Sequence, residues 1–503
     1  APGPRSSRQL EAARRSKRSR RAERVGVLIH SQINRTATME HWPAYESKMK
    51  AEGLSDAAIN AFKYNFEKLT SGESLFIPES SITAVDSLPT YESLTKEDPS
   101  LLGSTVMLKL NGGLGTGMGL EKAKSLLPLK DGATFLDFIA QQVELTREKF
   151  KVDLAFMLMN SFSTSADTLA YLAKYPKLAL DATGLPLEFQ QNKAPKVTKE
   201  GLAPASWPAA PSNEWCPPGH GDLYPALVGS GMLDQLVAKG YKYMFVSNSD
   251  NLGATMDLKL LTWFAESGAD FAMEAAARTD ADKKGGHLAN KAGGGLLLRE
   301  SAQCPDADEG AFQDVTKHKF FNTNNLWVNL AALKATFEAS GGVLKLPVIK
   351  NGKTVDPRDK ASTKVLQLET AMGSAIECFA KASAILIPRT RFAPVKTTND
   401  LLALSSDAYE VTADKRMVLK AERNGTPPDI KLDGMYKFVD QLATLVPPGC
   451  TPSLIKCDKL TVKGAVVLEA GVVFEGKVEI VGAAEGPPKV LKAGTYKDKA
   501  YEL

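Results

Sequence analysis

Cysteine and histidine are scarce in this sequence, with five of each among 503 residues. The cysteines form no CxxC pair and the histidines form no HExxH motif, so zinc sites and histidine-based triads have no support. The odd number of cysteines also argues against a disulfide framework and favours a reducing compartment. No apolar run approaches the ~18 residues that a membrane-spanning helix needs, so we predict a soluble protein.

Positive charge is concentrated at the start of the chain. Ala1–Arg24 holds eight arginines and one lysine against two glutamates, whereas the whole chain has a net charge of only +4. The rest of the chain is therefore slightly acidic, and nucleic-acid binding by the folded body has no support. The stretch RRSKRSRRAER resembles a basic arm, a nuclear-localisation patch or a transit segment. We favour a disordered leader over residues 1–38.

The pattern of apolar residues predicts an α/β protein. Helical periodicity begins at Met39, and Ser55 is predicted to cap a second helix. From Thr105 to about Arg391, short apolar runs alternate with helical stretches such as FLDFIAQQVELTREKF and GMLDQLVAKG. This rhythm is typical of a doubly wound, largely parallel sheet. The predicted strands are TVMLKLN, DLAFMLMN, YMFVSNSD, DFAMEAAA and GGLLLRE.

The pattern changes near residue 400, and the length of the chain is sufficient for two or three domains. Short β-rich pieces separated by Gly464, Gly471, Gly476 and Gly482 predict a small β-helix, with a β-meander as the alternative. The predicted domains are the leader (1–38), a helical segment and connector (39–100), a catalytic domain (101–400) and a C-terminal β-rich domain (401–503).

A glycine-rich stretch follows the first predicted strand, with five glycines in Gly112–Gly119. A dinucleotide-binding GxGxxG from Gly113 fails because Met118 takes the place of its third glycine, and a Walker A motif fails because Met118 replaces its lysine. A plain turn is the alternative, but each glycine costs ~0.5–1 kcal/mol relative to alanine in regular structure. We therefore predict that the backbone here approaches a ligand closely, at the carboxyl end of a strand.

The segment LNGGLGTGMGLEKAK resembles the signature of sugar-1-phosphate nucleotidyltransferases, a Gly-x-Gly-Thr loop followed by a lysine. Lys124 takes the lysine position, and Ala123 replaces the usual proline. The longer KLNGGLGTGMG resembles the eukaryotic UTP–glucose-1-phosphate uridylyltransferase family, the UDP-glucose pyrophosphorylases. The resemblance covers the chain from about residue 40 to its end and continues through FQQNKAPK, PPGHGD, SNSDNLGA, KGGHLA, FFNTNNLWVNL, LQLETAMGSAI and FAPVKTTNDLL. It implies a Rossmann-like nucleotidyltransferase sheet, a helical N-terminal segment and a C-terminal domain like a left-handed β-helix.

The resemblance implies a reversible, Mg²⁺-dependent reaction in which UTP and glucose 1-phosphate give UDP-glucose and pyrophosphate. The attacking phosphate oxygen is already anionic, so lysines and a divalent cation suit the reaction without a general base. The catalytic residues implied are Lys124, Lys396 and Asp250, with Asp250 as the Mg²⁺ ligand. The alternatives are a solvated lysine for each lysine, and a helix cap or Asx turn for Asp250. No second metal carboxylate is evident.

The family motifs also imply two sets of binding residues. Gln190 is the rival of Gln191 for the uracil-binding glutamine, and Glu369 and Thr370 stay unassigned. The set implied for the nucleotide is Leu110, Asn111, Gly112, Gly113, Lys124, Gln191 and Gly219. The set implied for the sugar and its phosphate is His220, Asn248, Asp250, Gly286, Glu300, Asn322 and Asn324.

Other functions are consistent with parts of this pattern. A UDP-sugar pyrophosphorylase of broad specificity is the main alternative, and a UDP-N-acetylhexosamine pyrophosphorylase is disfavoured because Gly117 stands where that group usually has arginine. A nicotinamide oxidoreductase would need the GxGxxG that fails here, and a silent scaffold would not need both lysines. We expect a cytoplasmic monomer without nucleic-acid or membrane partners, or an organellar protein if the leader is a targeting segment.

Overall fold

The structure is a computed structural model that describes residues 39–179, 184–482 and 484–503. The predicted leader, residues 1–38, lies outside these ranges. Among the described residues, every helix is too short or too polar to cross a membrane. The α-helices are α1 (Trp42–Ala51), α2 (Asp56–Thr70), α3 (Phe135–Phe150), α4 (Ser165–Leu172), α5 (Leu223–Gly229), α6 (Met232–Ala238), α7 (Leu258–Ser267), α8 (Glu309–Phe312), α9 (Leu330–Ala339), α10 (Thr398–Ser405) and α11 (Val439–Leu445).

The β-strands fall into one large sheet and several small ones. In chain order they are β1 (Ile82–Ala84), β2 (Thr105–Asn111), β3 (Pro128–Lys130), β4 (Ala133–Thr134), β5 (Ala155–Asn160), β6 (Glu188–Gln190), β7 (Ala194–Pro195), β8 (Val197–Thr198), β9 (Trp215–Cys216), β10 (Tyr243–Asn248), β11 (Phe271–Ala277), β12 (His287–Lys291), β13 (Leu296–Arg299), β14 (Phe320–Asn329), β15 (Val348–Thr354), β16 (Lys364–Thr370), β17 (Ala382–Leu386), β18 (Tyr409–Val411), β19 (Met417–Leu419), β20 (Asp429–Lys431), β21 (Ser453–Lys463), β22 (Val466–Leu468), β23 (Val472–Val481), β24 (Lys489–Leu491), β25 (Gly494–Lys497) and β26 (Ala500–Glu502).

The large sheet has ten strands and a parallel centre. Its path runs β1-β12-β14-β10-β2-β5-β6, with β11 beside β14, β17 beside β11 and β13 beside β12. Strands β10, β2, β5 and β6 pair in parallel, as do β11 and β17. The long strand β14 runs antiparallel to both β10 and β11, so the sheet is mixed rather than wholly parallel. The five strands predicted from the sequence are confirmed as β2, β5, β10, β11 and β13.

The central strands are apolar along their whole length because both faces of the sheet are covered. Every residue of β2 and of β5 is buried. Alternate side chains enter different cores: Met107 and Leu158 belong to one apolar cluster, and Leu108 and Met157 to another. Parallel sheets with helices on both faces show this continuous apolar pattern.

The N-terminal helices α1 and α2 pack against residues from the middle of the chain. Ser55 caps α2 by accepting a hydrogen bond from the backbone nitrogen of Ala58, which confirms the predicted cap. Tyr45 of α1 and Phe62 and Phe66 of α2 form an apolar cluster with residues of the middle of the chain, including Trp215. These two helices therefore cover the segment between β6 and α5.

The C-terminal strands pair in parallel. Strands β20, β21, β23 and β25 form a continuous parallel sheet to which β26 adds, and β22 pairs in parallel with β24. Neighbours in a β-meander run antiparallel, so the meander alternative does not describe this region. Its apolar side chains, such as Leu460 and Phe474, join the same core cluster as Leu158 of the central sheet.

Candidate functional site

The ends of four parallel strands define the candidate site. Strands β2, β5, β6 and β10 end at Asn111, Asn160, Gln190 and Asn248, and their parallel pairing places these ends along one edge of the sheet. Ligands of open α/β sheets bind at this edge. The glycine-rich loop follows β2 and Asp250 lies two residues after β10, which confirms the predicted strand ends, and Gln191 follows β6, a strand that the sequence did not predict.

The glycine-rich loop is compact and folds back on Lys124. A short 3-10 turn spans Thr116–Met118, and the glycines on both sides of it are left-handed, with φ of 71° at Gly115 and 75° at Gly119. The backbone nitrogen of Lys124 donates a hydrogen bond to the carbonyl oxygen of Gly113 at 3.1 Å. The loop therefore directs the Lys124 side chain to the same edge of the sheet.

Lys124 and Asp250 form an ion pair across this edge. The Nζ atom of Lys124 lies 2.7 Å from Oδ2 of Asp250, and the two side chains are 16% and 19% exposed. The second carboxylate oxygen of Asp250, Oδ1, is buried and has no hydrogen-bond partner among the described residues. A buried carboxylate oxygen without a partner is costly, so this atom is suited to a ligand that brings its own positive charge.

Lys396 reaches the site on a segment that is held by buried polar groups. The backbone nitrogen of Val395 donates to the carbonyl oxygen of Asp250 at 3.2 Å, and the side-chain oxygen of Asn251 accepts from the backbone nitrogen of Ala393 at 3.0 Å. Arg391 anchors the segment from below through two hydrogen bonds to the buried carboxylate of Glu274, at 2.9 and 2.8 Å. The Lys396 side chain itself is exposed, and it is therefore available to an anionic ligand.

The structure brings Gln191, and not its rival Gln190, to the glycine loop. The Gln191 side-chain Nε2 donates to the carbonyl oxygen of Gly219 at 3.0 Å. Its Oε1 lies so close to Gly112 that a Cβ atom there would be 2.7 Å away. The Gln190 side chain is exposed. Gly112 therefore provides the space in which the Gln191 amide lies.

The other predicted nucleotide residues differ in whether their polar groups are available to a ligand. The Asn111 side chain is buried and donates to Asn160 Oδ1 at 2.7 Å and to Thr168 Oγ1 at 3.0 Å. The carbonyl oxygen of Leu110 accepts from the backbone nitrogen of Ser249 at 3.0 Å. Gly113 is open, because a Cβ there would meet no described atom within 4 Å. Contacts from Asn111 to a ligand would therefore come from its backbone.

Gly219 and His220 belong to a segment that lies tightly against Thr370. A Cβ on Gly219 would be 2.5 Å from the carbonyl oxygen of Thr370. The backbone nitrogen of Met372 donates to Nδ1 of His220 at 3.0 Å. Burial lowers the pKa of His220 to about 4, so the ring is neutral near pH 7 and its Nε2 carries the proton. His220 can therefore donate a hydrogen bond but brings no charge.

Four of the predicted sugar residues lie together on the β12–β14 side of the sheet. A Cβ on Gly286 would be 2.5 Å from Oε2 of Glu300, and the backbone nitrogen of Asn322 donates to the carbonyl oxygen of Gly286 at 3.1 Å. Asn322 Nδ2 donates to Asn324 Oδ1 at 2.8 Å. Burial raises the pKa of Glu300, and the positive charge of Lys396 opposes this shift. Asn248 ends the neighbouring strand β10, which pairs with β14.

The sequence reasoning missed three polar residues that shape this site. Ser161, directly after β5, donates from Oγ to the carbonyl oxygen of Gly112 at 2.9 Å. Asp222 binds Asn192, the neighbour of Gln191. Lys109 is fully buried in β2 and donates to Ser247 Oγ at 2.7 Å and to the carbonyl oxygen of Ala254 at 2.6 Å. A lysine inside the apolar run TVMLKLN was the one available signal for Lys109.

The fold and the site together define a class of protein. A glycine loop follows the first parallel strand, a lysine and an aspartate pair at the strand ends, and a cluster of amides and a carboxylate lies beside them. This combination is that of a nucleotidyltransferase acting on a sugar phosphate.

Comparisons with known proteins identify the family within this class. The family model described as UTP–glucose-1-phosphate uridylyltransferase matches residues 59–475. The enzyme of that name from Solanum tuberosum is 42% identical over 425 residues, covering 82% of this chain and 85% of the relative, and the one from Saccharomyces cerevisiae is 38% identical over 467 residues, covering 90% and 91%. The chain belongs to the UTP–glucose-1-phosphate uridylyltransferase family.

Solved structures agree with this assignment. A UDP-glucose pyrophosphorylase from Leishmania major in complex with UDP-glucose matches with a TM-score of 0.88 and 49% identity, covering 92% of this chain and 99% of that one. A protein from Trypanosoma brucei described as UDP-glucose phosphorylase matches with a TM-score of 0.85, again at 49% identity and with the same coverage. The mixed α/β fold with its parallel centre is thus the fold of these enzymes.

Gly219 provides a test of how tightly the site is built. Its φ of 81° and ψ of 170° belong to a region that only glycine readily occupies, so we expect Gly219→Ala to cost about 1–3 kcal/mol. Urea denaturation measures this loss. Gly117→Ala is the matched control, because a Cβ at Gly117 meets no described atom within 4 Å. Equal stability of the two variants would contradict the described backbone at Gly219.

Proposed function

We propose that the chain catalyses transfer of a uridylyl group from UTP to glucose 1-phosphate, which gives UDP-glucose and pyrophosphate. Family membership supports the proposal, as does the UDP-glucose bound to a similar structure. The observation that carries it is the Lys124–Asp250 pair beside the glycine loop, with one carboxylate oxygen left without a partner. These groups suit a reaction between two phosphate anions.

The reaction requires that two polyanions be brought together and aligned. The phosphate oxygen of glucose 1-phosphate attacks the α-phosphorus of UTP, the new P–O bond forms on the side opposite the leaving pyrophosphate, and the P–O bond to pyrophosphate breaks. The nucleophile is already ionised, so the chain does not have to remove a proton. Its task is to hold both substrates in line and to neutralise negative charge.

The two lysines and Asp250 divide this task. We propose that Lys124 binds the triphosphate next to the glycine loop, and that Lys396 binds the phosphates from the segment beside Asp250. Asp250 would hold Mg²⁺ through its unpartnered Oδ1 atom. Bound Mg²⁺ supplies charge neutralisation at the phosphate oxygens. The described residues contain no cluster of three or more His, Cys, Asp or Glu side chains that could hold a metal, so the substrate phosphates would complete the coordination.

We propose that the base and the sugar bind to separate groups of residues on either side of the charged residues Lys124, Lys396 and Asp250. We propose that uracil lies against Gly112, Gly113 and Gly219 and that the Gln191 amide reads its edge. The hexose would lie among Asn248, Gly286, Glu300, Asn322 and Asn324, whose amides and carboxylate match the hydroxyls of a sugar. The neutral His220 would donate a hydrogen bond to the sugar phosphate.

Other features of the chain extend the proposal. The parallel pairing of the strands after residue 429 supports a C-terminal domain of β-helical type. We also propose that the catalytic domain begins near residue 100 and ends near residue 400. The monomeric state and the cytoplasmic location stay predictions from the sequence.

A comparison of sugar phosphates tests the proposed function. We expect UTP to be consumed fastest with glucose 1-phosphate and much more slowly with galactose 1-phosphate and N-acetylglucosamine 1-phosphate, because fixed polar groups discriminate between hydroxyl arrangements. Pyrophosphate release measures the rate. Equal rates with all three would instead support a broad-specificity UDP-sugar pyrophosphorylase, and no consumption of UTP with any of them would refute the proposal.

Lys396 should contribute to turnover and little to folding. We expect Lys396→Ala to lower kcat by about 10²-fold or more, since a lost charge contact to the transition state has an effect of this size. The melting temperature should hardly change, because the side chain is exposed. Lys122→Ala is the control, since Lys122 is another exposed lysine near the glycine loop. If both variants turn over at the wild-type rate, Lys396 has no catalytic role.

Asp250 should determine the metal requirement. We expect chelation by EDTA to abolish activity and added Mg²⁺ to restore it. In Asp250→Asn the Mg²⁺ concentration for half-maximal activity should rise by about tenfold or more, as the charged oxygen is lost. A Mg²⁺ titration of both proteins measures this, with Asp280→Asn as the control because the Asp280 side chain is 86% exposed. An unchanged Mg²⁺ requirement in Asp250→Asn would exclude Asp250 as the metal ligand.

A further inference from the structure

Asp222 has an unusual position at the start of a helix. It is the N-cap residue of α5, yet its side chain does not cap that helix. An aspartate at an N-cap ordinarily accepts a hydrogen bond from the second or third helical nitrogen. The Asp222 carboxyl is buried, and it points instead to Asn192. Its oxygens accept hydrogen bonds from the Asn192 backbone nitrogen at 2.7 Å and from Asn192 Nδ2 at 3.1 Å.

These bonds are part of a set of hydrogen bonds that fixes Gln191 and its neighbour Asn192. The backbone nitrogen of Gln191 donates to the carbonyl oxygen of Asn160 at 2.7 Å. The next nitrogen along the chain, that of Asn192, donates to Asp222. The side-chain Nε2 of Gln191 donates to the carbonyl oxygen of Gly219 at 3.0 Å, three residues before Asp222. One short segment, residues 219–222, therefore holds the side-chain amide of Gln191 and the backbone of its neighbour Asn192.

Burial of the Asp222 carboxyl group at this position costs folding free energy when the group is charged. Helix α2 and the neighbouring residues enclose it beside a cavity of about 20 Å³, which is sufficient for about one water molecule. Lys193 also lines this cavity, but its ammonium pairs with Glu52 at 2.5 Å. No ion pair to Asp222 occurs in the described residues. Burial raises the pKa of Asp222 to about 7, although the Asn192 bonds oppose this shift.

The raised pKa of Asp222 makes the stability of the fold depend on pH. Its pKa in the folded chain is about 7, and that of an unfolded aspartate is about 3.9. The folded state therefore binds more protons between these values, and stability falls as the pH rises across that window. An asparagine would fill the same volume without the cost of a buried charge, but its NH₂ group could not accept the second hydrogen bond from Asn192. What the acid provides and the asparagine does not is a pair of acceptor oxygens.

We propose that Asp222 is a positioning residue that orients Gln191 for the recognition of uracil. The inference rests on the proposed function, in which Gln191 reads the base. Gln191 donates one Nε2 hydrogen to Gly219, which leaves the second hydrogen for a uracil carbonyl and Oε1 for the uracil N3–H. Cytosine lacks an N3–H and carries an amino group at C4, so an amide fixed in this orientation rejects CTP.

Asp222→Asn tests the proposal with a change of one atom. The asparagine NH₂ group would face one of the two Asn192 donors, so the backbone at Gln191 and Asn192 must move. We expect KM for UTP to rise by about tenfold, the effect of losing one strong hydrogen bond. The preference for UTP over CTP should fall, and KM for glucose 1-phosphate should stay unchanged. The melting temperature should fall less at pH 8 than at pH 5, because the buried wild-type carboxyl carries its charge only at the higher pH.

A double-mutant cycle separates action through Gln191 from a general structural effect. In a Gln191→Ala background, Asp222→Asn should change neither KM for UTP nor the UTP-to-CTP preference any further. Asp433→Asn is the matched control, because Asp433 is an N-cap aspartate that does accept a hydrogen bond from its own short helix. It should leave both UTP parameters at wild-type values.

The outcomes distinguish this inference from the proposed function. If wild-type protein consumes UTP and Gln191→Ala raises KM for UTP, but Asp222→Asn alters neither KM nor base preference, the inference is wrong and the proposed function stands. If Asp222→Asn lowers the melting temperature and raises KM for both substrates equally, its role is structural and the inference is again wrong. If wild-type protein consumes no UTP, the proposed function itself fails.

Discussion

The ion pair between Lys124 and Asp250 is the contact on which the site depends. It joins the loop after β2 to the loop after β10, and the 2.7 Å distance is reached because these strands are parallel neighbours in the sheet. An ammonium with a single carboxylate partner, beside a carboxylate oxygen that has none, leaves charge of both signs available at one place. A site with this arrangement can accept phosphate oxygens on one side and a divalent cation on the other.

Close approach of the backbone provides the rest of the site. The Gln191 amide lies where a Cβ on Gly112 would be, and the segment of Gly219 and Gly221 lies where side chains would collide with Thr370. Glycine is needed at these positions because a Cβ atom on Gly112 would collide with the Gln191 amide, and one on Gly219 or Gly221 would collide with Thr370. The proposed base pocket is consequently made of backbone and one amide, which suits a flat ring that presents donors and acceptors at its edge.

Buried polar groups beneath the sheet edge keep the charged segments in place. Glu274 accepts two hydrogen bonds from Arg391 and one each from Asn325 and Trp327, so its charge is fully satisfied although the side chain is buried. Lys109 ties β2 to β10 and to the loop after it. Burial of charges is costly, and such groups are tolerated where many hydrogen bonds surround them. Here they fix the segment that ends in Lys396.

The sequence by itself determined the strands β2, β5 and β10, the helix α3 and the family, because apolar period, glycine spacing and motif order are local properties. Tertiary structure alone decided three further matters. It selected Gln191 over Gln190, since only one of two adjacent side chains can face the glycine loop. It determined the direction of β14, which lies between β10 and β11 and runs antiparallel to both. It also placed Asp222 against Asn192, 30 residues away in the chain, and no pattern along a sequence reports which donor a distant carboxylate will meet once the chain has folded.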